Sequence, residues 1–284
     1  MKKIILTLMV TALAICGAAQ STTAKKTDWD ESGLKGKVKS VREITYYAVE
    51  KFGELTKGEA KNNRDNTLVK YDAKGNTIEM NEYKSDGRLD LKYTYKYDGR
   101  GNKIEQNEYK SDGSLRENNT YKYDNRGNRI EENKYNSGGN LKQTYKYDGR
   151  GNRIERNKYR SDGSLDWKTI YKYDNRGNRI EQNEYRPDGS LFEKYTYKYD
   201  AQGNCTEENH YNPDGSLGGK DTYKYDDRGN MTEWNHYDID GNLDSKYTYK
   251  YKHDNKGNWI EKIEYRGEAN NARLITERTI EYYE

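Results

Sequence analysis

Polar and apolar residues alternate along most of this chain, in short stretches separated by turn residues. From residue 69 to residue 266, segments of about 8 and 10 residues are rich in Tyr, Thr and Ile, and every second position is polar. This period of two is typical of β-strands with two unlike faces. The pattern predicts an antiparallel β-meander of roughly fifteen or more strands.

Two kinds of turn separate the predicted strands, and both recur at a fixed spacing. The first contains DxxGN, with its glycine at positions 75, 101, 127, 151, 177, 203, 229 and 257. A second glycine follows 12 residues after each of the first seven, at 87, 113, 139, 163, 189, 215 and 241. The chain is therefore built from repeats of 26 residues, each with two strands and two turns.

Both turns have the chemistry of a hairpin loop. Asp or Asn begins the turn and can hydrogen-bond its backbone, and the last glycine suits a positive φ. The two prolines of the chain, Pro187 and Pro213, both occupy the second turn position, where their fixed φ fits. These features favour hairpins over helices.

Pairing the residues that flank each loop predicts which side chains share a face. If Asp98 lies opposite Asn102, then Tyr97 faces Lys103 and Tyr95 faces Glu105. One face would then carry a repeated structural ladder, of which Tyr97, Glu105, Asn107, Tyr109, Leu115 and Tyr123 are one copy. The other face holds Lys, Thr and freely varying residues, and is predicted to face solvent.

The predicted fold is all-β: a repetitive antiparallel meander that forms a curled single-layer sheet or a solenoid-like shell. Strong twist makes a long flat sheet unusual. Residues 36–68 and 267–284 alternate like strands but lack the repeat, so they are predicted to cap the sheet edges on either side of the repeats at 69–266.

Composition excludes a thick apolar core. Of the 284 residues, 35% are charged and 31% hydrophobic, and 30 are Tyr. Low hydrophobicity often signals disorder, but disordered chains lack aromatics and carry a high net charge, whereas this chain is rich in Tyr with a net charge of +3. Regular repetition is the better explanation of the composition.

The first 19 residues are predicted to be a secretory signal, followed by a linker at residues 20–35. They combine a basic start, an apolar run from Ile4 to Ile15 and small residues before Gln20. Cleavage after Ala19 gives an exported protein that is periplasmic, surface-bound or secreted. Lipidation of Cys16 is the alternative, although Ile15 is bulky for a lipobox.

The mature chain has a balanced charge and one cysteine. Removing Lys2 and Lys3 takes the balance from 51 minus 48 to 49 minus 48, so no net basic field favours nucleic acid. Only Cys205 remains, which rules out an intramolecular disulfide. No transmembrane segment is expected in the mature chain.

The YxYDxxGN core with its following DG turn resembles the YD repeat of bacterial RHS-type proteins, over residues 69–266. The resemblance implies a short exported YD-repeat protein with a β-shell and no activity of its own. The period is longer than the family's, and too little chain follows Tyr265 to form a toxin domain. A weaker similarity exists to MORN-type repeats.

No catalytic, cofactor or metal site is predicted. The repeated glutamates occupy near-identical environments, whereas a catalytic pair needs two different ones. His210 and His236 lie two strands apart, about 9.5 Å, which is too far for a shared metal. Asp238 and Asp240 are ordinary turn acids rather than a calcium loop. The glycine turns lack the helix N-terminus of a phosphate site.

The best candidates for ligand contact are Trp167, Trp234 and Trp259, which replace polar residues of other repeats. Trp234 is predicted to point outward, where its ring could stack on a sugar or anchor a protein. The sequence thus favours a non-catalytic exported protein that binds a glycan or an envelope protein. The alternative is a structural or adhesive spacer without a localised site; an enzyme fits least well. The oligomeric state is left open.

Overall fold

The computed structural model describes residues 27–61, 66–136, 139–267 and 271–284, so the predicted signal and Cys16 lie outside the described residues. One short helix, α1 (Asp28–Glu31), precedes 19 strands. The strands are β1 (Val38–Lys51), β2 (Glu54–Ala60), β3 (Asn66–Tyr71), β4 (Thr77–Tyr83), β5 (Leu89–Tyr97), β6 (Lys103–Lys110), β7 (Leu115–Tyr123), β8 (Arg129–Asn136), β9 (Gly139–Tyr147), β10 (Arg153–Tyr159), β11 (Leu165–Tyr173), β12 (Arg179–Tyr185), β13 (Leu191–Tyr199), β14 (Cys205–Tyr211), β15 (Leu217–Tyr225), β16 (Met231–Tyr237), β17 (Leu243–His253), β18 (Trp259–Arg266) and β19 (Ala272–Tyr282).

The hairpin turns have the predicted geometry. In the turn after β5, Gly101 has φ +77° and its N–H donates to the Asp98 carbonyl at 3.0 Å, while the Asp98 N–H donates to the Asn102 carbonyl at 2.9 Å. The Asp98 carboxylate also accepts from the backbone N–H and the side-chain amide of Asn102, both at 2.8 Å. Aspartate at the first position and asparagine at the last therefore hold the loop together.

The sheet closes on itself. Each strand from β3 onward pairs antiparallel with the next, and β1 pairs on one side with β19, from Val38 opposite Tyr282 to Tyr47 opposite Leu274. On its other side β1 pairs with β3, from Ser40 opposite Lys70 to Glu43 opposite Thr67. The result is a barrel of 18 strands, with β2 paired to the far end of β1.

The open curled sheet and the solenoid-like shell were therefore wrong. The meander itself is confirmed, but the terminal segments expected to cap two separate edges pair with each other. An unpaired edge leaves a row of backbone N–H and carbonyl groups without partners, and closure satisfies both edges at once.

The predicted register was wrong by one residue. Glu105 lies opposite Lys96 rather than Tyr95, and Asn107 lies opposite Thr94 rather than Tyr93. The cause is a β-bulge, since Tyr97 lies opposite Lys103 and the next pair skips Ile104. An extra residue on one strand of a pair exchanges the faces beyond it.

The bulges sort side chains into a tyrosine face and a glutamate face. On the tyrosine face Tyr171 is 4% exposed, whereas on the glutamate face the Lys122 side chain is 67% exposed. Side chains converge inside a closed cylinder and diverge outside it, so we assign the tyrosine face to the inner wall. Substantial contacts in the described residues connect only hydrogen-bonded neighbours, and 18 strands enclose more space than side chains fill.

The outer face carries a belt of ion pairs. Glu131 accepts from Lys122 at 2.7 Å and from Lys142 at 2.9 Å, and the Asn133 amide donates to it at 3.0 Å. The corresponding glutamate of every repeat has a lysine on the preceding strand at 2.7 to 2.8 Å: Glu79, Glu105, Glu131, Glu155, Glu181, Glu207, Glu233 and Glu261.

The segment before β1 bridges the first and last DxxGN turns. The Trp29 N–H donates to the Gly75 carbonyl at 3.3 Å, and the Lys35 N–H donates to Asn258 Oδ1 at 2.7 Å. Trp29 also packs against the small buried cluster of Leu34, Val38, Val41 and Tyr71. Where β1 joins β3 and β19, this segment therefore takes the position that a neighbouring DxxGN turn takes in the other repeats. Within the described ranges, no helix is long and apolar enough to cross a membrane.

Candidate binding site on the inner wall

The residues that vary between repeats lie on the inner wall. Trp234 is directly opposite Tyr223 on β15 and Tyr247 on β17, within the tyrosine face. The sequence placed this position on a solvent-facing outer surface, and the bulges reverse that assignment. It is therefore on the inner wall of this barrel that one repeat differs chemically from the next.

Trp234 is the centre of a compact cluster on this wall, which we call the Trp234 cluster: Trp234, Tyr247, Asp221, His236 and Glu208. The Trp234 and Tyr247 rings stack with centroids 4.9 Å apart and planes 12° from parallel. The indole N–H donates to Asp221 Oδ1 at 2.7 Å, and His236 Nδ1 lies 3.0 Å from the same oxygen. A carboxylate only accepts, so the contact places a proton on His236 Nδ1.

Glu208 adds a second carboxyl group to the cluster. It lies directly opposite Asp221 on the neighbouring strand. Burial raises the pKa of the Glu208 carboxyl above its usual value, and the negative charge of Asp221 raises it further. Two adjacent carboxyl groups with unlike environments thus line the wall beside an aromatic stack.

A stretch of β15 without side chains adjoins the cluster, because this strand carries Gly218 and Gly219 where other repeats carry side chains. The equivalent pairs are Arg116 and Glu117 on β7 and Asp166 and Trp167 on β11. A Cβ atom on Gly218 would lie 3.1 Å from His210 Nδ1, and one on Gly219 would lie 3.4 Å from His236 Cε1. The imidazole rings of His210 and His236 therefore cover the backbone of Gly218 and Gly219 from opposite sides. We call this place the glycine gap.

His210 completes the border of the gap. Its ring stacks on Tyr195 with centroids 5.0 Å apart, and its Nε2 atom, 3.7 Å from Glu193, is buried without a hydrogen-bond partner in the described structure. The described residues hold no group of three or more His, Cys, Asp or Glu arranged to bind a metal ion.

The three candidate tryptophans do not form one site. Trp167 is on β11, where its indole N–H donates to Glu184 at 2.9 Å and its ring meets Phe192 edge-on at 4.8 Å. Trp259 is on β18, and the Arg278 guanidinium lies 3.3 Å from its ring centroid. Trp234 is the member of the three that adjoins both a carboxylate cluster and the glycine gap.

The predicted ladder divides between the two faces. Tyr97 and Tyr123 are on the inner wall, where their hydroxyls donate to the carbonyls of Thr77 at 2.7 Å and Lys103 at 2.6 Å on neighbouring hairpins. Glu105, Asn107 and Tyr109 follow the outer face, as their pairing with Lys96, Thr94 and Lys92 shows. Leu115 lies opposite Tyr109 at a hairpin end and is 56% exposed.

Several residues of the site escaped sequence reasoning. His210 and His236 were set aside as too far apart, and the Gly218–Gly219 pair was not considered. The signal was present in the sequence, because two glycines replace side chains within a predicted strand of one repeat only.

Comparison with known proteins gives no family. No protein-family model matches the chain, and no curated protein matches it. Among known structures, it is similar to a porin-like protein from Bacteroides uniformis, with TM-score 0.44 and 11% identity over 87% of this chain and 98% of that one. A porin-like protein from Bacteroides vulgatus gives TM-score 0.37 and 11% identity over 87% and 99%. A TcdB2-TccC3 structure gives TM-score 0.35 and 13% identity over 84% of this chain and 16% of that one.

The resemblance to YD-repeat proteins was wrong. No family model matches the chain, and the sheet closes into a barrel instead of the shell that the resemblance implied. The shared turn sequence reflects the chemistry of the hairpin loop, which any protein with this turn can use.

Proposed function

We propose that this is an exported, non-catalytic β-barrel that binds a glycan on its inner wall, at the Trp234 cluster and the glycine gap. The observation that carries the proposal is the stacked Trp234–Tyr247 pair beside Asp221 and Glu208. Aromatic faces suit the apolar face of a sugar ring, and carboxylates and imidazoles suit its hydroxyl groups.

The shape of the barrel favours a glycan over a folded protein as the partner. The site is on the inside of an 18-strand wall, which an extended chain can enter but a folded domain cannot. The spacer hypothesis also loses its basis, because adding or removing repeats in a closed barrel changes its girth rather than its length.

The outer face of the barrel is too highly charged to contact lipid. The outer belt of glutamate and lysine pairs encircles the repeats, and a charged side chain on a lipid-facing strand costs about 2–4 kcal/mol near the bilayer centre. The barrel is thus proposed to stand in the aqueous part of the envelope, which leaves the inner wall open to diffusing glycans. Flotation of the mature chain with liposomes would contradict this placement.

The test is affinity electrophoresis of the mature chain, from Gln20, in gels containing dextran, mannan or soluble peptidoglycan fragments. Wild type should be retarded by at least one polysaccharide, and Trp234→Ala should lose most of the retardation. Trp259→Ala is the matched control, because Arg278 already covers that ring. Equal retardation of wild type and Trp234→Ala, or none in any gel, would refute the proposal.

A further inference from the structure

A row of basic side chains follows the inner wall at the bulges of four alternate strands. Lys103, Arg129, Arg153 and Arg179 occupy the same bulge position on β6, β8, β10 and β12. At the equivalent position β4 has Thr77, and β14, β16 and β18 have Cys205, Met231 and Trp259. The basic row therefore runs along β6 to β12, and the Trp234 cluster occupies the strands that follow, from Glu208 on β14 to Tyr247 on β17.

Tyrosine rings separate the members of this row. The Arg129 guanidinium lies 4.8 Å from the Tyr145 ring centroid, and Arg153 lies 5.5 Å from Tyr145 and 4.9 Å from Tyr171. Arg179 continues the stack at 5.7 Å from Tyr171 and 4.6 Å from Tyr197. Cation–π contacts hold each guanidinium plane in place and leave its N–H edge for other partners. We call this the Arg–Tyr row.

Positive charge in the middle of the row is not balanced by acids. Arg129 has Glu132 at 3.5 Å. Around Arg153 and Arg156, by contrast, no carboxylate of the described residues comes within ion-pair distance, and Arg156 donates to the Thr169 hydroxyl at 3.3 Å. The Nε atom of Arg153 is buried without a hydrogen-bond partner in the described structure. Arg153 thus carries a positive charge without an acidic partner, and an anion held by the terminal N–H groups of the guanidinium would supply one.

The spacing of the row selects one kind of anion. Successive arginines are two strands apart, about 9.5 Å, which is close to the length of a disaccharide. Nucleic-acid phosphates are more densely spaced, with one for about every 3.4 Å of helix axis on each strand of a duplex. We propose that the Arg–Tyr row binds an acidic glycan that carries one carboxylate or sulfate per disaccharide. This inference does not rest on the Trp234 cluster.

The experiment measures binding of a fluorescent hyaluronan octasaccharide, which has one carboxylate per disaccharide, by anisotropy at low and moderate salt. Wild type should bind, with an affinity that falls as salt rises. Arg153→Gln should weaken binding about tenfold, the usual loss for one charge-assisted hydrogen-bonded contact. Arg100→Gln, on an exposed turn, is the matched control and should bind like wild type.

Two further variants separate binding from folding. Arg153→Lys keeps the charge and the stack on tyrosine but loses the planar fork, so it should fold and bind with intermediate affinity. Arg156→Gln lies outside the stack and should fold and still weaken binding. Unchanged affinity in both would overturn the inference, and so would tighter binding of oligo-dT than of hyaluronan. Trp234→Ala should leave hyaluronan binding unchanged, so this test and that of the Trp234 cluster fail independently.

Discussion

Thr45 of β1 and Thr276 of β19 lie directly opposite each other, and their hydroxyl oxygens are 3.0 Å apart. They are 231 residues apart in sequence and only 5% and 6% exposed. This pair lies in the seam that turns a long meander into a closed barrel. Both side chains are buried although the wall has a single layer.

The seam hydroxyls should stabilise the barrel together. Thr45→Val or Thr276→Val leaves the remaining hydroxyl buried without its partner, and each is expected to lower the free energy of unfolding by about 1–3 kcal/mol. The double variant should lose less free energy of unfolding than the two single variants together, because it leaves no unpaired hydroxyl. Urea denaturation of the four proteins measures this coupling, with Thr56→Val in the β1–β2 hairpin as control. Strict additivity would show that the hydroxyl pair does not contribute.

Removing one whole repeat should give a narrower barrel of the same height. Deletion of residues 103–128 joins Asn102 to Arg129 and removes β6 and β7 as one hairpin. An even change preserves the antiparallel order and the facing of every other strand, and barrel diameter follows strand number. Small-angle X-ray scattering should show a smaller cross-section at unchanged length. A particle that keeps its cross-section and shortens would indicate an open sheet.

The sequence predicts strands and turns well because both are local. Asp98 and Gly101 specify their turn whatever lies beyond it. The prediction of which side chains share a face failed at Ile104, because a bulge adds one residue without disturbing the alternation on either side. Closure of the sheet was not predicted because it depends on curvature summed over all strands. The Arg–Tyr row was overlooked rather than hidden by the bulge, because Arg153 lies opposite Tyr147 in the predicted pairing and in the structure alike.

The outer ion pairs should make stability fall steeply in acid. Hydrogen bonds from Lys122, Lys142 and Asn133 lower the pKa of the Glu131 carboxyl to about 2, from 4.5. Hydrogen bonds from the equivalent lysines also lower the pKa of Glu105 and Glu207. Between these values the unfolded chain binds protons that the folded chain does not, so stability is full above pH 4.5 and is lost as pH falls toward about 2.

Urea midpoints measured from pH 7 to pH 2 check this expectation. Glu131→Gln should be less stable than wild type at pH 7 and should lose less stability in acid, because it has no carboxylate to protonate. Glu54→Gln, on β2 outside the belt, is the control for the substitution of glutamate by glutamine itself. If the urea midpoint depended on pH equally in wild type and in Glu131→Gln, the belt would have no role in acid stability.

Filling the glycine gap should block the proposed glycan site without unfolding the barrel. Gly219→Leu copies the residue at the equivalent positions of other repeats, Leu91 on β5 and Leu141 on β9, so the strand accepts it. A side chain there meets the His236 ring, since even a Cβ atom would lie 3.4 Å from Cε1. The variant should therefore keep its free energy of unfolding within about 1 kcal/mol of wild type, yet lose retardation in the polysaccharide gel that retards wild type. Its hyaluronan affinity should be unchanged, because the atoms nearest to a side chain at Gly219 belong to His236 and Tyr237 and not to the Arg–Tyr row. Full retardation of a folded Gly219→Leu protein would place the glycan elsewhere on the wall.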